Sequence, residues 1–145
     1  MAAETLIQNL ELSPHPEGGW YRQTWVSETN DAERASGTCI YFLLKQNETS
    51  HWHRVDATEI WHFYAGTPLV LSVSETKRGP ASDQVLGPDL SKGQSPQIIV
   101  PDGHWQTASA PNGWALVGCT VSPGFQFAGF ELADAGFDIA RESPG

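Results

Sequence analysis

Short stretches in which apolar and polar residues alternate dominate this chain. In residues 20–26, successive side chains fall on opposite faces of an extended strand that begins directly after the Gly18-Gly19 turn signal. The same criteria predict further strands over residues 38–44, 50–54, 59–64, 69–74, 97–100, 104–108, 114–121 and 125–132. Turn clusters such as Pro111-Asn112-Gly113 separate them. Eight or nine strands at this spacing predict an all-β sandwich or barrel.

The two ends of the chain follow a different pattern. Leu6, Ile7 and Leu10 fall on one face of a helix predicted over residues 5–12, and Pro14 ends that pattern. We therefore expect a helical cap within residues 1–13. Residues 134–145 are polar with weak helical character and are expected to fray. The 145-residue length predicts one domain, since domains usually hold roughly 100–200 residues.

Composition narrows the class of protein. With 14 glycines, 10 prolines and only 17% charged residues, the chain has few windows for the long helices of a bundle. A hydrophobic fraction of 39%, including six tryptophans, supplies a core and excludes intrinsic disorder. The formal charge of −9 argues against nucleic acid and anionic membranes as partners. The longest apolar run, residues 39–44, is too short to span a bilayer, and no leader pattern is present. We therefore expect a cytoplasmic protein with reduced, buried cysteines at Cys39 and Cys119.

The densest chemical signal lies in residues 50–66. His51 and His53 are two residues apart on a predicted strand and so share a face, and Glu59 opens the next strand. Imidazole and carboxylate on rigid strands are the usual ligands of iron, manganese, zinc or nickel, and open coordination positions remain for substrate. The alternative is that these histidines are hydrogen-bonded structural residues.

These residues resemble the first motif of the cupin superfamily, a His-x-His followed by a glutamate and a glycine. Here Glu59 follows His53 after five intervening residues, one more than in the superfamily pattern, and Gly66 lies seven positions after Glu59. Residues 101–106 resemble the second motif, but Gln106 stands where the pattern has a histidine, and His104 lies two positions earlier. The resemblance implies a metal set of His51, His53, Glu59 and His104 for iron, manganese, nickel or zinc. Without metal, the same groups form an acid/base pocket.

A longer resemblance covers nearly the whole chain. The segments 14–22, 53–66, 100–106 and 116–125 are similar to an uncharacterised cupin subfamily, a domain of unknown function sometimes called the fifth cupin class. The resemblance implies a cupin jelly-roll β-barrel, a homodimer, a pocket in the barrel mouth and a likeness to deoxysugar-nucleotide 3,5-epimerases. By that likeness His53 would be the base and Glu59 its polariser. The acid would come from Tyr21, Tyr41 or Tyr64.

Several other residues are candidates for ligand contact. We predict that the pocket is lined by His51, Arg54, Trp61, Tyr64, His104, Trp105 and Gln106. Guanidinium groups such as that of Arg54 suit carboxylate or phosphate, although surface pairing with an acid is an equal alternative. His62 alternates away from Glu59 and is expected outside the barrel. Residues 15–19 are either an arm that reaches a neighbouring subunit or a turn that leads into the strand at residue 20.

Three functions stay open on these grounds. The first is a small-molecule-binding cupin, acting as an isomerase or epimerase on a sugar-like or other small organic ligand, with His53 and Glu59 catalytic. The second is a divalent-metal-dependent oxygenase or isomerase. The third is a non-catalytic binding scaffold, which predicts no pocket large enough for a drug-sized ligand.

Overall fold

The computed structural model describes residues 1–30 and 32–142, and these build two antiparallel sheets that face each other. One short helix, α1 (Ala3–Asn9), precedes them. The strands are β1 (Ser13–Pro14), β2 (Trp20–Val26), β3 (Thr38–Leu44), β4 (Thr49–Val55), β5 (Thr58–Gly66), β6 (Leu69–Ser74), β7 (Ser82–Leu86), β8 (Gln97–Val100), β9 (Trp105–Ser109), β10 (Ala115–Ser122) and β11 (Phe130–Leu132). Short 3-10 turns cover Leu90–Lys92 and Phe127–Gly129.

The strand order is that of a jelly roll. The first sheet runs β1-β2-β3-β10-β5-β8, and the second runs β11-β4-β9-β6-β7. Many neighbours in each sheet, such as β3 and β10 or β4 and β9, are distant in sequence, because the chain crosses repeatedly from one sheet to the other. The predicted all-β jelly-roll barrel with a short N-terminal helix is therefore confirmed.

The core fills the space between the two sheets. Phe42, Trp61, Leu71, Val117 and their neighbours are almost completely buried there. Each lies on the inward face of its strand, because the alternation of the sequence matches the two-residue period of the pleat. Helix α1 covers the outer face of the first sheet at Leu43 and Leu116.

The C-terminal segment packs against the outer face of the second sheet. Ile139 is fully buried with Trp52 and Trp105, and Arg141 forms a parallel bridge with Ala81. Residues 134–142 are thus an ordered part of the fold, in contrast to the fraying expected for 134–145. Residues 143–145 lie outside the described part of the chain.

Two of the departures from the predicted strands have clear physical reasons. β7 was not predicted, because this strand lies at a sheet edge and Asp83 and Gln84 are exposed there. The stretch predicted as one strand over 125–132 is split into a 3-10 turn and the three-residue β11. Among residues 1–30 and 32–142, no helix has the length and apolar character to cross a membrane.

Candidate functional site

A cavity of about 160 Å³ opens at one end of the barrel, between the two sheets. Its walls come from the ends of strands β3, β4, β5 and β10, from β2, and from the loops before β2 and after β10. The lining residues are His15, Glu17, Tyr21, Gln23, Thr38, Ile40, His53, Val55, Glu59, Val121, Phe125 and Phe127. Polar and titratable groups therefore stand together on a largely apolar wall.

His53 reaches the cavity from β4 and is only 2% exposed. Its Nδ1 lies 2.7 Å from the carbonyl oxygen of His51, which can only accept, so Nδ1 carries the proton. The other ring nitrogen, Nε2, lies 3.5 Å from Oε2 of Glu17. The backbone thus fixes the tautomer that leaves the Nε2 lone pair on the carboxyl side.

Glu59 enters the cavity from the inward face of β5 and is held by a bridge between the two sheets. Its Oε1 accepts a 2.8 Å hydrogen bond from Nε2 of Gln106 on β9. The Oε1 of Gln106 in turn accepts a 2.8 Å bond from the indole of Trp61. These contacts fix the position of the Glu59 carboxyl group.

Glu17 and His15 are brought to the site by the loop before β2. The loop lies close against β4, where His51 donates its backbone N–H to the Glu17 carbonyl oxygen at 2.7 Å. Gly18 has φ of +105°, and a Cβ there would overlap the carbonyl oxygen of Thr49, so this approach requires glycine. The Glu17 carboxylate accepts from the Ser50 hydroxyl, and its Oε1 lies 3.2 Å from Nδ1 of His15.

Burial shifts all four of these groups toward their neutral forms. It raises the pKa of Glu17 to about 8 and that of Glu59 to about 7, although nearby His53 and Gln106 oppose the shift at Glu59. Burial also lowers the pKa of His15 to about 4 and lowers that of His53. The side chains of His15 and Glu17 are therefore both neutral at pH 7 and do not form an ion pair. Instead, Nδ1 of His15 accepts a 3.2 Å hydrogen bond from the backbone N–H of Glu17.

Of the residues predicted for the pocket, His53 and Glu59 line the cavity and Gln106 supports Glu59 from behind. His51 does not share the face of His53, because the register of β4 against β9 shifts between Ser50 and His53 and reverses the alternation. Instead, Nε2 of His51 lies 2.8 Å from the carbonyl oxygen of Asp134, outside the barrel. His104 lies in the turn before β9 and does not line the cavity.

The remaining predicted contact residues lie elsewhere in the fold. Trp61 is buried in the core beside Phe42 and does not line the cavity. Trp105 packs outside the second sheet, with the guanidinium of Arg54 5.1 Å from its ring. Arg54 itself pairs with Glu131 at 2.7 Å.

The tyrosine alternatives also separate in the structure. Tyr64 is 48% exposed on the outer face of the first sheet, where its ring packs against that of Tyr41. Tyr21 lines the cavity. His62 lies outside the barrel as expected, with Nε2 3.1 Å from Oγ1 of Thr120.

The metal set implied by the resemblance is not assembled. His51 and His104 lie away from the cavity, and the Gln106 oxygen is occupied by the Trp61 N–H while its amide nitrogen faces Glu59. In the described part of the chain, no three His, Cys, Asp or Glu side chains converge in a way that could hold a metal ion. The residues present therefore do not fit a cupin metal centre.

Sequence reasoning missed the roles of His15 and Glu17, which were assigned to an arm or a turn. The signal was present, because Pro14 to Arg22 is the first segment of the subfamily resemblance and contains two adjacent glycines. Both glycines have positive φ, which marks a loop held against another strand. A close backbone approach at that loop would have pointed to its neighbouring polar side chains.

Comparison with known proteins identifies the family. A family model described as the cupin superfamily (DUF985) matches residues 4–133. A crystal structure of a protein from Shewanella oneidensis is 43% identical, with a TM-score of 0.86 over 92% of this chain and 85% of that one. A hypothetical protein from Leishmania major is 33% identical, with a TM-score of 0.83 over 94% and 90% of the two chains.

More distant matches share the fold alone. A variant of oxalate decarboxylase from Bacillus subtilis is 17% identical, with a TM-score of 0.62 over 82% of this chain. The matched part is 29% of that protein. A search of curated proteins finds no significant match to this chain.

Proposed function

Because the chain belongs to the cupin superfamily (DUF985), we propose that its cavity binds a small organic molecule and moves a proton on it, as an isomerase or epimerase does. The observation that carries this proposal is a group of four titratable side chains on the cavity wall, each less than a tenth exposed: His15, Glu17, His53 and Glu59. Burying such groups costs stability, and proteins concentrate them where chemistry uses them.

The cavity volume limits the size of the ligand. A cavity of about 160 Å³ is close to the about 150 Å³ that accommodates benzene in an engineered core. It is smaller than the roughly 300–1,000 Å³ typical of sites for drug-sized ligands. The volume favours a compact molecule, comparable with one small ring, over a nucleotide sugar.

The arrangement of donors and acceptors supports proton transfer. His53 is neutral at pH 7 with its lone pair on Nε2, which is the form of a general base. Glu59 has a pKa of about 7 and can exchange a proton at neutral pH. Tyr21 lines the same cavity and offers a hydroxyl donor. In our proposal His53 takes the proton, Glu59 stabilises the charged ring, and Tyr21 returns a proton to the other face of the ligand.

Hydrogen exchange in D₂O tests the catalytic part of the proposal. The protein is incubated with a panel of compact aldehydes, ketones and hydroxyketones, and loss of the proton next to the carbonyl is followed by NMR. We expect accelerated exchange for a subset, and a decrease of at least about a hundredfold in His53→Gln, since a general base contributes roughly that much. His62→Gln is the matched control, because it removes a histidine from the outside of the barrel.

Equal exchange in His53→Gln and wild type would refute this assignment. So would unchanged ligand affinity in both His53→Ala and Glu59→Ala. The same preparation, purified without chelator, is analysed for iron, manganese, nickel and zinc. Stoichiometric metal, with exchange lost on chelation, would favour the metal-dependent alternative.

We also propose that the protein is a homodimer that uses the outer face of the first sheet. One row of paired residues crosses five strands on that face, and none of its side chains is charged: Trp25, Cys39, Thr120, Ile60 and Ile99. Trp25 is 53% and Ile99 61% exposed in the single chain. Sedimentation should show a dimer that Ile99→Glu dissociates and that Leu90→Glu, at an exposed site elsewhere, leaves intact.

A further inference from the structure

The ionisable groups that line the cavity are two carboxyl groups, two histidines and one tyrosine. No Lys or Arg lines it among the residues that the structure describes. Within the same residues, the ion-pair contacts of Glu17 are with His15 at 3.2 Å and His53 at 3.5 Å, and Glu59 has none within 4 Å. The carboxyl groups of the cavity therefore lack a fixed cationic partner.

Three aromatic rings also line the cavity. Tyr21, Phe125 and Phe127 line the cavity, and the rings of Phe125 and Phe127 meet edge to face with centroids 4.9 Å apart. Phe127 is 54% exposed and stands at the mouth. The face of an aromatic ring carries partial negative charge, so it attracts a cation and repels an anion.

The charge of the whole molecule acts in the same direction. The chain carries 17 acidic and 8 basic residues, for a formal charge of −9. Such a field raises the local concentration of cations near the protein and lowers that of anions. The carboxyl groups of the cavity, its aromatic rings and the net charge of the protein are three separate features, and each favours a cationic ligand.

We propose that the cavity binds a small organic cation, namely a protonated amine with about six non-hydrogen atoms, a size set by the benzene comparison. The ammonium group would contact Glu59 and Glu17, and the C–H groups next to it, which share its positive charge, would contact the rings of Phe125 and Phe127. This inference rests on the ligand binding proposed above but not on proton transfer. It excludes small carboxylates and phosphates as ligands of the cavity.

Three probes of similar size and different charge test this proposal. Piperidine is protonated at neutral pH, tetrahydropyran is its neutral ring analogue, and pivalate is a compact anion. Each is titrated into the ¹⁵N-labelled protein, and affinity is read from the shifts of the cavity residues. We expect piperidine to bind at least about tenfold more tightly than tetrahydropyran. Pivalate should leave the cavity signals unchanged.

Variants show whether piperidine binding depends on the carboxyl group in the cavity or on the net charge of the whole protein. Glu59→Gln keeps the shape of the side chain and should weaken piperidine binding about tenfold while tetrahydropyran binding changes little. Glu75→Gln is the matched control, because it removes the same charge from an exposed turn. Phe127→Leu lies at the exposed mouth, where folding tolerates change. This variant should bind piperidine more weakly, while its affinity for tetrahydropyran should change little.

Two results would overturn the inference. One is tetrahydropyran or pivalate binding the cavity as tightly as piperidine does. The other is no piperidine binding at the highest concentration at which the protein stays folded. If either result is found and the protein still catalyses proton exchange on a neutral carbonyl compound, the amine ligand is refuted and the proposed proton-transfer function stands. Tight piperidine binding without any exchange activity would support the amine ligand and refute the proton transfer.

Discussion

In two clusters of this molecule, the pKa values of the carboxyl groups are shifted in opposite directions. Inside the barrel, Glu17 and Glu59 are buried beside histidines that are themselves neutral, and the pKa of each carboxyl group is raised. Outside the second sheet, Asp138 accepts hydrogen bonds from the Trp52 indole at 2.8 Å and from Arg141 at 3.0 Å. Those two donors lower the pKa of Asp138. Burial without a cation and exposure beside a cation thus produce opposite shifts in the same functional group.

The opposite pKa shifts distinguish a candidate functional site in the cavity from a structural ion-pair cluster on the outer surface. In the outer cluster, Arg141 also donates to Asp83 at 3.0 Å, so the C-terminal segment is tied to the edge strand β7 by groups that satisfy one another. In the cavity, ionisation of either carboxyl group is opposed until something compensates its charge. An external ligand can provide that compensation, whereas the outer cluster has no need of one.

The largest expected effect tests whether the outer segment belongs to the cooperative fold. Ile139 is fully buried between this segment and the second sheet. Ile139→Ala should lower the free energy of unfolding by about 3 kcal/mol, as is usual for emptying a buried aliphatic site. Urea unfolding measures it, with Leu90→Ala, 71% exposed, as the control. A loss below about 1 kcal/mol would mean that the segment is only loosely attached.

The second prediction concerns the pH dependence of stability. Folded pKa values of about 8 and about 7, against 4.5 for an ordinary glutamate, mean that the folded state keeps protons that the unfolded chain has already lost. The free energy of unfolding therefore falls as pH rises through that window. His15 and His53 have lowered pKa values, so their contribution is lost as pH falls below 6.5. The two effects oppose each other below pH 6.5, and a net loss should appear above it.

We expect the free energy of unfolding to decrease by about 2 kcal/mol between about pH 6.5 and about pH 8.5. Glu17→Gln should remove most of this slope, because an amide does not ionise. Glu75→Gln, which removes an exposed carboxylate, should leave the slope unchanged. Chemical denaturation at a series of pH values measures all three proteins. The same slope in Glu17→Gln as in wild type would show that the cavity carboxyl groups are ordinary acids.

The fold could be predicted from the sequence, while the site could be predicted only in part. Strands such as β3 and β6 follow directly from alternation, because each packs one apolar face against the core. Alternation also placed Glu59 inside. It misplaced His51, because a register shift against β9 is a property of two strands and is invisible in one. The roles of Glu17 and Gln106 depend on contacts between distant segments, which no local pattern contains.

The smallest expected effect tests the outer cluster itself. Arg141→Gln removes the cation shared by Asp83 and Asp138, both of which are largely exposed. Exposed pairs are screened by water, so the free energy of unfolding should fall by less than about 1 kcal/mol, and by still less at high salt. Arg78→Gln, at an exposed turn, controls for the change in net charge. A loss above about 2 kcal/mol that salt does not reduce would show that the outer acids depend on their cation as buried groups do, and the contrast with the cavity would then fail.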